Sequence, residues 1–501
     1  MDAPRRGQAY RGRNGLHSPW FQAGAGRDGV HLPANQTILL VNMGRTTMVR
    51  AGLAFIFLLA ASGCATLPDA PVNTRLAAPI AAPPIDLGVD GEAIALAFSG
   101  GGARAASFSY GALLGLKEMT GADGRRLVDR VSLVTAVSGG AITAAYYGQH
   151  GPDDLDGFRA RALDKDWAGH LHSFAWPATW MGILGGGANG PDRLANWLDA
   201  ELFHGARISD LKHNPVIINA TELYTGAPFA FAAPYFQAIC SDLPSVRLAD
   251  AVAASMAVPL AFRPVVVESH GADCPDPLPG WVARARTDHY APILLRETAR
   301  AFEAYRDPAQ MRFLHLADGG VVDNFGLSSL ITMRQAAATP TAPFSERDAV
   351  KLTRLSFLVV NAGLSPSGAW SRDPKGPTGL DVVDAALSDS INGNKRMAYL
   401  AFGGMLQEWK RDLAAWRCAL PADRARALGA GPGWKCDALE FRLDMISFAD
   451  LPKDQYERLG AVPTAVSLPK ATIDDLIAAG AWAVKQNGSM RDLGNKARSS
   501  R

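Results

Sequence analysis

Three short stretches hold residues whose types and spacing could break an ester bond without a metal or an imidazole. In Ala136-Val137-Ser138-Gly139-Gly140 a serine sits among small residues where an apolar run gives way to a helical pattern. This is a G-x-S-x-G turn with Ala136 in the first glycine position, and such a turn lifts the hydroxyl out of a sheet. In Ala317-Asp318-Gly319-Gly320 a carboxylate follows another apolar run. Held beside a serine, it can act as general base. Taken alone, each stretch could equally be an ordinary turn.

The third stretch is Ser99-Gly100-Gly101-Gly102-Ala103-Arg104. Glycines at a helix start leave backbone N–H groups exposed, which makes a cradle for a phosphate or an oxyanion. G-x-x-x-x-G-K-[ST] is absent, and Ala105 stands where G-x-G-x-x-G needs its third glycine. An oxyanion hole at Gly100, Gly101 and Gly102 fits better than a phosphate loop, with a plain tight turn as the alternative. A Ser-His-acid triad would need a histidine late in the chain. All ten histidines lie at or before His315, which leaves His289 or His315 as the weaker partners.

The elements that must position these groups read as a single α/β domain. Strands are expected at 93–98, 131–136, 216–220, 312–317 and 355–361, with helices at 103–119, 247–256, about 380–418 and 473–486. Short apolar runs alternating with helical patterns imply a mostly parallel central sheet flanked by helices. In such sheets ligands bind at the carboxyl ends of strands, where all three stretches fall.

The blocks Phe98-Ser-Gly-Gly-Gly-Ala-Arg104, the Ser138 turn, Asn219-Ala-Thr-Glu-Leu223, Ala254-Ser-Met-Ala-Val-Pro-Leu-Ala-Phe-Arg-Pro264 and Asp318-Gly-Gly with Asp323-Asn324 stand in that order. Together they resemble the patatin-like phospholipases, over about 92–361. The resemblance implies the patatin-like acyl hydrolase fold and a Ser138–Asp318 dyad. It also implies an oxyanion held by the glycine loop and an Arg104 that fixes that loop. Ala136 and Ala105 depart from the family's glycines, both by small residues. The expected function is lipid acyl hydrolysis through an acyl-enzyme, with a lipid or ester substrate and no cofactor. An acyltransferase on the same dyad and a non-catalytic lipid- or partner-binding lipoprotein are the alternatives.

Composition narrows the class further. The chain has 501 residues, 48% hydrophobic and 20% charged, with a formal net charge of +2. Its Lys and Arg are scattered, so no nucleic-acid footprint is visible. Residues 43–63, basic and then apolar, read as a signal peptide that ends in a lipobox, with Cys64 as the lipidated residue. The expected address is an outer membrane, facing the periplasm or the surface, with contact to that membrane through the anchor. Residues 1–42 read as disordered and as an upstream mis-start, and 64–91 as a Pro- and Ala-rich tether. Residues 92–487 form the catalytic domain, helical from about 362, and 488–501 a frayed polar tail.

In an oxidising compartment Cys240, Cys274, Cys418 and Cys436 can form disulfides, and sequence proximity suggests 240 with 274 and 418 with 436. Buried free thiols are the other reading. No metal-ligand spacing is present. The apolar, aromatic stretch 174–187, with Trp176 and Trp180, suits a lid, a lipid-dipping surface or cleft lining. Oligomeric state is not legible in the sequence.

Overall fold

The computed structural model describes residues 69–77, 80, 91–171, 183, 186–364, 369–372 and 374–495. These lie in the unit running from Cys64 to Arg501. Cys64, the signal segment, Trp176 and Trp180 are outside the described residues.

Continuous apolar runs make the central strands, because a strand covered on both faces has no solvent side on which to place polar residues. The main sheet contains β1 (Glu92–Phe98), β2 (Val131–Val137), β3 (Val216–Glu222), β4 (Pro228–Phe231), β5 (Val265–Glu268), β6 (Phe313–Asp318), β7 (Arg354–Asn361) and β8 (Glu440–Ser447). Their order is β8-β7-β1-β2-β3-β6-β5, with β4 also paired to β3. From β8 to β3 neighbouring strands are parallel. β4 and β6 run antiparallel to β3, and β5 antiparallel to β6.

Alternate residues feed two cores. Ile94, Leu96, Phe98, Val134 and Val360 face one, and Ala93, Ala95, Leu133, Phe357 and Val359 the other. On the first face lie α1 (Gly102–Glu118), α2 (Gly139–His150) and α6 (Lys470–Gln486). α3 (Leu248–Ser255) also packs there. The second core takes residues from α4 (Leu327–Ala336) and α5 (Gly379–Cys418). α1 and α6 touch backbone to backbone: a Cβ at Gly111 would lie 2.1 Å from the Ile477 carbonyl oxygen. The C-terminal third is therefore built into the same core.

Two boundary expectations need correcting. Residues 488–501 are not all frayed, because α7 (Gly488–Asn495) buries Met490 and Leu493 against the first core. Nor is all of 64–91 a free tether. The Val72 N–H donates to the Val266 carbonyl, and the buried Asn73 amide both donates to the Glu268 carbonyl and accepts from its N–H. This segment satisfies the open edge of β5, which would otherwise expose unpaired backbone groups. Disulfides join Cys240 to Cys274 beside it and Cys418 to Cys436 at the end of α5.

Candidate active site

β2 ends at Val137 and α2 begins at Gly139, so Ser138 must turn the chain through a conformation that most side chains avoid. Its φ is 52° and its ψ −125°. Such a conformation persists only where the surroundings over-determine it. Here the Ser138 N–H donates to Ser255 Oγ at 2.8 Å, and the Ser255 hydroxyl donates to the Asn219 carbonyl at 2.6 Å. The end of α3 thus ties the turn to β3. Gly139 has no room for a side chain, since a Cβ there would come within 2.0 Å of the Gly102 carbonyl oxygen.

Asp318 closes β6, which pairs antiparallel with β3, so its carboxylate arrives beside a strand that neighbours β2. Its main chain is pinned on both sides: its N–H donates to the Ala257 carbonyl at 2.9 Å, and its carbonyl accepts from the Thr221 hydroxyl at 3.0 Å. The carboxylate accepts from the Gly320 N–H at 2.7 Å and faces the Ser138 hydroxyl, close enough for that hydroxyl to stabilise its ionised form. Both side chains are buried. Burial pushes the Asp318 carboxyl up to about 6, against the pull of the nearby Ser138 hydroxyl and the Gly320 N–H. A carboxylate in that range is a stronger base than a solvated one and is still mostly ionised at neutral pH.

A pH dependence follows. The base must be ionised, so kcat/KM should be level above about pH 7 and fall about tenfold per pH unit below about 6. A kcat/KM profile on a neutral ester measures it. A midpoint near 4 would mean that the base is a solvent-exposed carboxylate and not Asp318.

The glycine loop is more selective than its sequence suggests. The Gly100 N–H is already donated to Asn324, to the side-chain oxygen at 3.1 Å and the carbonyl at 3.2 Å. The Ala103 N–H is donated to the Ala465 carbonyl at 2.8 Å. Gly101 and Gly102, both with positive φ, are left with N–H groups that have no partner among the described residues. Of the three glycines expected to hold an oxyanion, Gly100 therefore positions the loop and Gly101 and Gly102 remain free to donate. The loop abuts the turn, since a Cβ at Gly100 would be 3.2 Å from Ser138 Cβ. The N-termini of α1 and α2 both end here, which concentrates positive helix-end potential beside the serine.

Arg104 is buried and makes no ion pair among the described residues. It donates to the Ala362 carbonyl at 2.8 Å, to the Val462 carbonyl and to the Thr464 hydroxyl at 3.2 Å. It therefore staples the glycine loop to segments far along the chain. Asp323 accepts from the Phe325, Gly326 and Ser328 N–H groups and shapes the loop that carries Asn324 into α4. Sequence reading did not assign roles to Ser255 or Asn324. Their only local signal is membership of the ordered motif blocks.

The triad alternative does not assemble. His315 is exposed on the outer face of β6, and His289 is exposed in a loop. A cavity of about 920 Å³ lies towards the other end of the sheet, lined by Val216, Leu330, Phe357 and Trp409 among others. It includes neither Ser138, Asp318 nor the glycine loop.

Comparison with known proteins gives one family match, over residues 96–331, to the model described as patatin-like phospholipase. No curated protein matches the chain. Among solved structures, human GIVD cytosolic phospholipase A2 is similar at 12% identity and a TM-score of 0.36, covering 82% of this chain and 63% of that one. VipD from Legionella pneumophila is similar at 11% identity and a TM-score of 0.31, covering 86% of this chain and 71% of that one.

Proposed function

We propose, on the premise that residues 96–331 are a patatin-like phospholipase domain, that this protein hydrolyses carboxylic esters of lipids, with Ser138 as nucleophile and Asp318 as base. The observation that carries the reading is the Ser138 hydroxyl, at a strained turn, facing a buried Asp318 carboxylate whose proton affinity burial has raised. Asp318 takes the hydroxyl proton as Ser138 Oγ bonds to the ester carbonyl carbon. The carbonyl oxygen becomes an oxyanion and accepts from the Gly101 and Gly102 N–H groups. Donors already in place at that position lower the barrier without having to reorganise.

Collapse of this intermediate breaks the bond to the leaving alkoxide, which receives the proton from Asp318. The acyl group remains on Ser138. Asp318 then deprotonates a water that attacks the acyl carbon, and a second oxyanion forms in the same hole. Its collapse releases the fatty acid and returns the proton to Ser138. Every step uses groups of this chain and one water.

The decisive experiment uses a fluorophosphonate reagent, in which the serine oxygen attacks phosphorus and fluoride leaves. Mass spectrometry should find the adduct on the peptide containing Ser138. Absence of labelling under conditions in which the protein is folded would favour a lipid-binding role without catalysis. The sequence signals around Cys64 support placing this activity on a membrane surface through a lipid anchor, at an outer membrane.

A further inference from the structure

The cavity of about 920 Å³ is set apart from Ser138 and Asp318, because its lining comes from the amino ends of the parallel strands, where β2, β3 and β7 begin. Its inner wall belongs to the second core: Leu133 of β2, Leu330 of α4, Phe357 of β7, and Phe402 and Trp409 of α5. Its outer lining includes the exposed Ser209, Lys212, His213 and Pro343, so it opens to solvent.

Two apolar side chains present surface to this space. Ile217 sits on the central strand β3 and Met333 on α4, yet each is only half-buried where it packs against the second core. A core at ordinary packing density leaves few voids larger than a water molecule. A volume of about 920 Å³ instead matches ligand pockets, which run to about 300–1,000 Å³.

The polar lining groups decide what can enter. The hydroxyls of Ser132 and Tyr147 donate to the Ile94 and Val128 carbonyls, so the body of a ligand must be apolar. Asp129 is paired with Arg126, and Lys212 is exposed. Arg334, in the last turn of α4, is the half-buried cation against the apolar wall, its guanidinium carbon 5.3 Å from the centre of the Trp409 ring.

Arg334 Nη1 donates to the Thr339 carbonyl at 2.9 Å and the Ala342 carbonyl at 3.2 Å, while Nε and Nη2 have no partner among the described residues. The exposed Glu408 and Asp412 of α5 act on it from beyond ion-pair distance, a smaller effect than burial, which lowers its proton affinity. It stays charged at neutral pH. The Nε and Nη2 edge of a guanidinium is a fork that both oxygens of a carboxylate fit.

We infer that this cavity is a second ligand site, which takes a long-chain fatty acid with its acyl chain against the second core and its carboxylate on Arg334. Burial of the chain supplies the affinity, and the guanidinium fork selects the acid over an alcohol of the same length. The site is distinct from Ser138 and Asp318 and does not depend on the hydrolase reading.

Calorimetric binding of octanoate, decanoate and dodecanoate to the full chain, each below its micellar concentration, tests it. Affinity should rise roughly threefold per added CH₂. Arg334→Gln should weaken dodecanoate at least about tenfold and leave dodecanol within about threefold, and Arg334→Lys should recover part of the loss. Met333→Trp, which places a large side chain in the cavity, should weaken acid and alcohol alike. Thermal unfolding checks that each variant is folded, and Ala337→Trp on the same wall serves if Met333→Trp is not.

Dodecanoate binding unchanged by both Arg334→Gln and a folded tryptophan variant would place the fatty acid elsewhere and overturn the inference. Equal losses of acid and alcohol in Arg334→Gln, or no dodecanoate binding by wild type, would overturn it as well.

Discussion

Ser138→Ala protein should keep its fold and lose ester hydrolysis by at least about 10⁴-fold in kcat. The substitution removes only the hydroxyl that faces Asp318. The backbone hydrogen bond from residue 138 to Ser255, which holds the turn, remains. The free N–H groups of Gly101 and Gly102 also remain, so a small residual rate from binding and oxyanion stabilisation is expected. Turnover of a lipid ester, paired with circular dichroism and a thermal midpoint, checks both halves. Activity within about tenfold of wild type in a folded variant would exclude Ser138 as nucleophile.

Asp318→Asn should reduce kcat by about 10³- to 10⁴-fold and at the same time raise stability at neutral pH. An asparagine can still accept the Gly320 N–H through its oxygen and donate to the Ser138 hydroxyl, so the geometry survives. It cannot take a proton.

The stability effect follows from linkage. The Asp318 carboxyl is raised in the folded state from 3.8 to about 6, so between those values the native state binds more protons than the unfolded one. Stability therefore falls as pH rises through that window, and above it the ionised carboxylate is a standing cost. Removing the charge should lift the thermal midpoint at pH 7 to 8, with the gain shrinking towards pH 4. A slow variant whose midpoint is lower at pH 7.5 would mean that Asp318 is structural, with the loss of activity secondary to misfolding.

The central strands were legible because each is an apolar run ended by glycine or a polar turn. β1, β2, β3, β6 and β7 all lie within two residues of the expected bounds. β8 was missed. It is an edge strand, Glu440-Phe-Arg-Leu-Asp-Met-Ile-Ser447, mostly half-buried, and its charged residues hide the apolar pattern. The docking of Asn73 on β5 was equally invisible, since a Pro- and Ala-rich segment carries no periodic signal for an edge it will cover. α7 was lost for a related reason: two buried apolar side chains, Met490 and Leu493, are too few to outweigh a polar composition.

The three chemical stretches were readable because their requirements are local. A turn as tight as the one at Ser138 demands small neighbours. A loop with positive φ at Gly101 and Gly102 demands glycine, and a strand end can present a carboxylate. Those demands are met by adjacent residues and so are written in adjacent letters. Packing decided the rest.

Which carboxylate reaches Ser138 depends on β6 pairing with β3. Which glycine amides stay free depends on Asn324, brought to Gly100 from 224 positions away. The loop is held by Val462 and Thr464, more than 350 positions from Arg104. The basicity of Asp318 comes from burial, and burial belongs to the assembled core. A charge loses its water only when distant segments close over it, so no local pattern can encode how strongly it will hold a proton or attract an anion.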